Sequence, residues 1–170
     1  MPLNSSSMTV RVTADQTSQL DLVTGRIQLD YGAAALALGS GVAVNQADRL
    51  FTDTRTLTAS ASEDLDLAGV LTDAFGATLT FARIKGLVIK ASSANTNNVI
   101  VGNAASNGFV SWVGAATHTV TVRPGGLLAL WAPDATAYVV AAGTGDLLHV
   151  ANSGAGTSVT YDVILIGASA

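Results

Sequence analysis

The chain of 170 residues has no cysteine. That removes disulfide scaffolding, thiolate metal sites, cysteine nucleophiles and thiol redox switching. It has little charge: Asp, Glu, Lys and Arg make up 12%, about half of the roughly 25% usual in soluble domains. Eight basic residues against twelve acidic ones leave a net charge of −4. An acidic chain offers no electrostatic footprint for nucleic acid. Aromatic residues are only 5%. The most apolar stretch, Gly32 to Ala47, is short and broken by Gly32, Gly39, Ser40 and Gly41, whereas a membrane-spanning helix needs about 20 apolar residues. Met-Pro-Leu-Asn-Ser-Ser-Ser at the start lacks the basic and apolar regions of a secretory signal. Intrinsic disorder is excluded by the opposite excess, since 49% of the residues are hydrophobic.

What remains is rich in Val, Thr, Ile, Ala, Leu and Ser, with Gly, Asn and Pro as punctuation. Runs of Glu, Lys, Gln and Arg that would face a helix to water are missing, so little helix is expected. Period-two alternation marks strands. It is visible loosely over Arg55–Ala61, then in Asp64–Leu67, in Thr78–Phe81 leading into Ile84–Ala91, and in His118–Arg123. Asn98–Val101, Phe109–Val113, Leu127–Trp131, Ala137–Ala142, Leu147–Ala151 and Ser158–Ile166 are further candidates. Gly86 is a candidate bulge. Asn107-Gly108 is a hairpin signal. Pro124-Gly125-Gly126 has the residues of a tight turn, Pro setting the first corner and Gly the second. About eight short strands with frequent turns predict an all-β fold: an antiparallel β-sandwich, jelly-roll-like, over residues 56–170. Residues 1–55 are expected to form an extended N-terminal arm or irregular assembly segment, with a flexible tail at Met1–Ser7. The apolar runs Leu127–Leu130 and Val163–Ile166 call for cover on both faces, which a small sandwich would take from a neighbouring subunit.

From Ala91 to Ala170 the only charged side chains are Arg123, Asp134, Asp146 and Asp162. A monomer normally uses Lys and Glu to stay soluble and to guard its sheet edges. So bland a surface fits a protein that packs against copies of itself or against a large assembly. Leu20, Leu22, Ile27, Leu36, Leu38, Val42 and Val44 of the arm are the candidate assembly contacts.

Catalytic chemistry has weak support. His118 and His149 are the only imidazoles, and no nucleophile elbow accompanies them. Both read as strand residues. Glu63, Asp64, Asp66 and Asp73 could bind Ca²⁺ or act as a carboxylate pair, but a solvated strand face accounts for them more simply. Gly143-Thr144-Gly145 and Gly154-Ala155-Gly156 lack the following helix and lysine of a phosphate loop and read as turns. Trp112, Trp131 and Tyr138 are candidates for a glycan-stacking platform, against the alternative that they, like Tyr161, are core or interface.

Two stretches resemble small virion proteins from the head gene clusters of tailed bacteriophages. One is Gln46-Ala47-Asp48-Arg49-Leu50-Phe51-Thr52-Asp53-Thr54-Arg55-Thr56-Leu57, running on to Glu63–Gly76. The other comprises Arg123-Pro124-Gly125-Gly126, Ala132–Thr136 and Val150–Asp162. The resemblance spans roughly residues 46–170 and carries no catalytic residue. It implies a structural virion protein, a capsid decoration or cement protein on the outer head surface, made in the host cytoplasm. The expected partners are the major capsid protein and the chain itself as a homotrimer, with no direct nucleic acid, no membrane, no cofactor and no enzymatic activity. The competing reading is a tail or head-fibre module that binds a host glycan.

Overall fold

The computed structural model describes residues 3–32 and 36–170, and among them there is no helix. The fold is all-β, with fourteen strands among the described residues. In order they are β1 (Ser5–Met8), β2 (Arg11–Gln19), β3 (Thr24–Gly32), β4 (Leu36–Ser40), β5 (Gln46–Ala47), β6 (Arg49–Leu57) and β7 (Ser62–Asp66). Then follow β8 (Arg83–Ala91), β9 (Val99–Gly102), β10 (Thr119–Val122), β11 (Leu127–Trp131), β12 (Tyr138–Val139), β13 (Leu147–Asn152) and β14 (Val159–Ala168).

Two sheets make a β-sandwich. One runs β11-β8-β14-β6, with the short β12 also on β8; the other runs β10-β9-β13-β7. All of these pairings are antiparallel. Alternation decides which side chains turn inward. In β14, Val159, Tyr161, Val163 and Leu165 are buried, while Thr160, Asp162, Ile164 and Ile166 face out. In β13, Leu148 and Val150 point in. These rows join Phe51, Leu65, Leu87, Ile89, Val99, Val101 and Val122 in one core.

The bulge expected at Gly86 is present. β14 pairs Ile166 with Gly86 but Gly167 with Ile84, so Lys85 is the extra residue. Its side chain is fully buried, and Nζ donates to the Ala43 carbonyl at 2.6 Å. Burial and nearby Arg83 lower its pKa, against the pull of Asp134. The expected turn at 124–126 also forms: Gly126 N–H donates to Arg123 O at 2.7 Å, and Gly125 takes φ of +74°.

Four expectations need correction. The sandwich begins before residue 56, because β6 starts at Arg49 and pairs along the whole of β14. Thr78–Phe81 and Phe109–Val113 are not strands. Leu79, Phe81 and Phe109 are buried all the same, so the hydrophobic pattern reported burial rather than pairing. Asn107-Gly108 does not close a hairpin, since β9 pairs with β10 across the loop 103–118. The Asn107 carbonyl instead accepts from the N–H groups of Asp146 and Leu147, both at 3.0 Å. His118 lies just before β10, not within it.

The N-terminal segment is organised, although residues 1–2 and 33–35 of it lie outside the described set. β1 pairs antiparallel with β4, and β4 pairs in parallel with β5. This small sheet is fastened to the sandwich: Asn45 N–H donates to Pro133 O at 2.8 Å and Asp48 N–H to Gly167 O at 3.0 Å. Ser7, Met8 and Thr9 then lie over Gly86, Val88, Trp131, Ile164 and Ile166. Part of the second cover expected from a neighbouring subunit therefore comes from the same chain.

Candidate assembly interface

β2 and β3 form a hairpin that pairs with nothing else. All of β2 is exposed, as is all of β3 except the half-buried Gly25. Nine cross-strand pairs run from Arg11↔Gly32 to Gln19↔Thr24. The pairing sorts the side chains by parity. One face carries Val12 opposite Tyr31, Ala14 opposite Leu29, and Gln16 opposite Ile27. The other carries Arg11, Thr13, Asp15 and Thr17 against Asp30, Gln28 and Arg26.

The charged face is internally satisfied. Arg11 grips Asp30 with two hydrogen bonds, Nε to Oδ1 at 2.9 Å and Nη2 to Oδ2 at 2.7 Å. Arg26 does the same for Asp15, with Nε to Oδ1 at 3.0 Å and a second bond from Nη2 to Oδ2. Each pair spans the strands diagonally, within reach of long side chains. Arg26 holds the Asp15 carboxyl below its usual range, and Asp30 raises Arg11 further.

The apolar face has no such partners. Ile27 is 71% exposed, Tyr31 58%, and Val12 and Leu29 49% each. The tip adds Leu20, Leu22 and Val23, all exposed, in a four-residue turn closed by Leu20 N–H to Val23 O at 2.8 Å.

Among the candidate assembly residues, Leu20, Leu22 and Ile27 thus stand on this exposed hairpin, and Val42 and Val44 are exposed in the turn before β5. Leu36 is half-buried at the start of β4. Leu38 is a correction: it is only 1% exposed, sealed inside this chain, and offers no surface to a partner. Val12, Leu29 and Tyr31 were missed by sequence reasoning. Their period-two spacing on both sides of Leu20–Val23 was the available signal, hidden by a turn without Gly, Asn or Pro.

The acidic residues do not converge on a common centre. Glu63 accepts from Arg55 Nε at 2.7 Å and from the Tyr161 hydroxyl at 2.8 Å. Asp64 meets His149 Nδ1 at 2.6 Å across the β7–β13 pair. Asp66 accepts from Ala68 N–H at 2.8 Å. Asp73 accepts from Phe75 and Ala77 N–H, both at 2.9 Å, which lowers its pKa. Among the described residues no group of three or more His, Asp or Glu is placed to hold a metal.

The aromatics are likewise divided. Trp112, whose Nε1 donates to Phe109 O at 2.9 Å, and Tyr138 pack against the core. Trp131 lies on the outer face of the sheet, over Gly86, where an added Cβ would stand 2.9 Å from its ring. It lines a cavity of about 300 Å³ under β1. The Gly143–Gly145 segment is a turn, with Thr144 and Gly145 N–H donating to Ala141 O at 3.0 and 2.7 Å. No helix of the described residues is long and apolar enough to cross a membrane.

Comparison with known protein families, curated proteins and solved structures finds no match to this chain.

Proposed function

We propose that this chain is a structural virion protein, a decoration protein that binds the outer surface of a phage head as a homotrimer and bridges major capsid subunits. The observation that carries the reading is the exposed hairpin, with an apolar face left uncovered among the described residues. Two further features support it. The sequence resembles small head proteins over residues 46–170. The eight sandwich strands, numbered one to eight along the chain, stand in the orders 6-3-8-1 and 5-4-7-2. We read this as a jelly roll, an architecture used in viral capsid and lectin domains. Fold alone does not fix function, so weight rests on the surface. The mechanism is mass action: a ligand that binds only the assembled shell stabilises it in proportion to occupancy.

The test is immunogold labelling of intact virions, combined with a hairpin-less variant. Met8 and Leu36 face each other in the β1–β4 register, so an Asn-Gly turn can replace residues 9–35. The variant keeps β1 and the sandwich core, and its thermal midpoint should stay within a few degrees of the parent. Label over all facets of the head, and loss of head binding by the variant, are the expected results. Label confined to the tail, or full binding by the variant, refutes the proposal.

A further inference from the structure

We infer that the apolar face of the β2–β3 hairpin is a self-association surface, buried against the same face of other copies of this chain about a common axis. The inference stands without the virion reading, since it concerns only what covers this face.

A two-stranded hairpin standing free in water is marginal at best; it needs a third strand or a packed face. Among the described residues this one has neither from its own chain. The chemistry of the face then selects the occupant. Arg11, Asp15, Arg26 and Asp30 all stand on the opposite face and are paired with one another. The apolar face carries Val12, Ala14, Ile27, Leu29 and Tyr31, with Gln16 and Ser18 as its polar members. Close to a symmetry axis a charged residue meets its own image and is repelled. A face cleared of charge avoids that clash, and it gives an oppositely charged partner nothing to recognise.

Area sets the strength of the association. Nine paired rows at 3.4 Å make the hairpin about 30 Å long, and two strands with their side chains are about 10 Å wide. Such a face presents on the order of 400 Å² of accessible surface. Two faces bury on the order of 800 Å², short of the roughly 1,000 Å² expected of a specific interface. Each chain buries the same one face whether two or three copies meet, so the contact is a weak, concentration-dependent one.

The test is the solution mass of the full chain at micromolar concentration, by light scattering or native mass spectrometry. Two variants accompany it: Ile27→Lys with Leu29→Lys on the apolar face, and Thr13→Lys with Thr17→Lys on the polar face. Both change charge equally, and neither touches the sandwich core. The expected result is a mass of at least two chains, rising with concentration, for the parent and the polar-face variant. The apolar-face variant should associate at least about 100-fold more weakly, from like charges brought together at the axis. Unfolding midpoints of the sandwich establish that each variant is folded. A monomeric parent, including one whose hairpin instead binds purified heads, overturns the inference, as does an oligomer that persists in the apolar-face variant. Absence of the protein from heads refutes decoration alone and leaves this result unchanged.

Discussion

Tyr161 offers the sharpest test of how the two sheets are joined. Its ring is buried in the core at 1% exposure, and its hydroxyl donates to Glu63 Oε1 at 2.8 Å. Glu63 in turn accepts from Arg55 through Nε at 2.7 Å and Nη2 at 2.6 Å, and Arg55 Nη1 reaches Asp53 at 2.7 Å. Tyr161 and Arg55 belong to one sheet and Glu63 to the other, so the network crosses the sandwich. Tyr161→Phe keeps the ring and removes one bond to a charged acceptor, the kind that contributes about 1.5–3 kcal/mol. Glu63 retains Arg55 and some contact with water, so the low end applies, about 1.5–2 kcal/mol. For a domain of this size that lowers Tm by about 3–8 °C.

The pH dependence adds a second handle on the same bond. Burial, then the bond to Glu63, push the Tyr161 pKa well above its ordinary value. The folded protein therefore keeps a proton that the unfolded chain releases above about pH 10. Stability contributed by Tyr161 is complete below that pH and is lost as pH rises, at about 1.4 kcal/mol per unit. Lys85, whose pKa is lowered, works in the other direction, but it is common to both proteins and cancels in their difference. The advantage of the parent over Tyr161→Phe should shrink above about pH 10 and vanish about one unit higher. Urea unfolding followed by far-UV circular dichroism at pH 7 and at a series of alkaline values measures it. Equal stability at pH 7, or a difference that does not change with alkaline pH, would refute the reasoning.

Two more substitutions probe the frame. Asn152 is buried; it donates to Thr58 O at 3.0 Å and Thr157 O at 2.8 Å, and accepts from Asn97 Nδ2 at 3.0 Å. Asn152→Ala strands these groups and should cost about 2–4 kcal/mol, read as a lower urea midpoint with unchanged slope. Gly86→Ala drives a methyl into the Trp131 ring, 2.9 Å away. It should cost about 1–3 kcal/mol and shift the tryptophan emission, whereas an unchanged spectrum would mean the ring moves freely.

How much of this was readable depended on what each segment asks of its residues. β8, β13 and β14 are core strands and β11 flanks them at the sheet edge, and their apolar rows placed all four within a residue or two. β6 was half hidden because Asp53 and Arg55 share the face of Phe51 and Leu57, an arrangement stable only with Glu63 nearby. No local pattern announces a partner that arrives with another strand. The loop 103–118 defeated the pattern differently: Phe109 is buried while its backbone bonds to Leu147, so hydrophobicity was right and pairing was not. The hairpin alternates cleanly, but a face with no cover among the described residues gives burial arguments nothing to close on. Of the candidate interface, Leu20, Leu22 and Ile27 were legible as apolar residues in a place with no core of their own.

The position of β14 has a consequence in time. It follows every other strand of the sandwich in the chain, yet it lies between β6 and β8 and pairs with both along its length. Until residue 168 has emerged from the ribosome, β6 and β8 have no bond to each other and the inner row Val159, Tyr161, Val163 and Leu165 is absent. Long-range pairing of this kind folds slowly, and unpaired strand edges invite aggregation while they wait. A chain interrupted before Val159 therefore lacks an inner strand of its main sheet and leaves the facing edges of β6 and β8 unpaired.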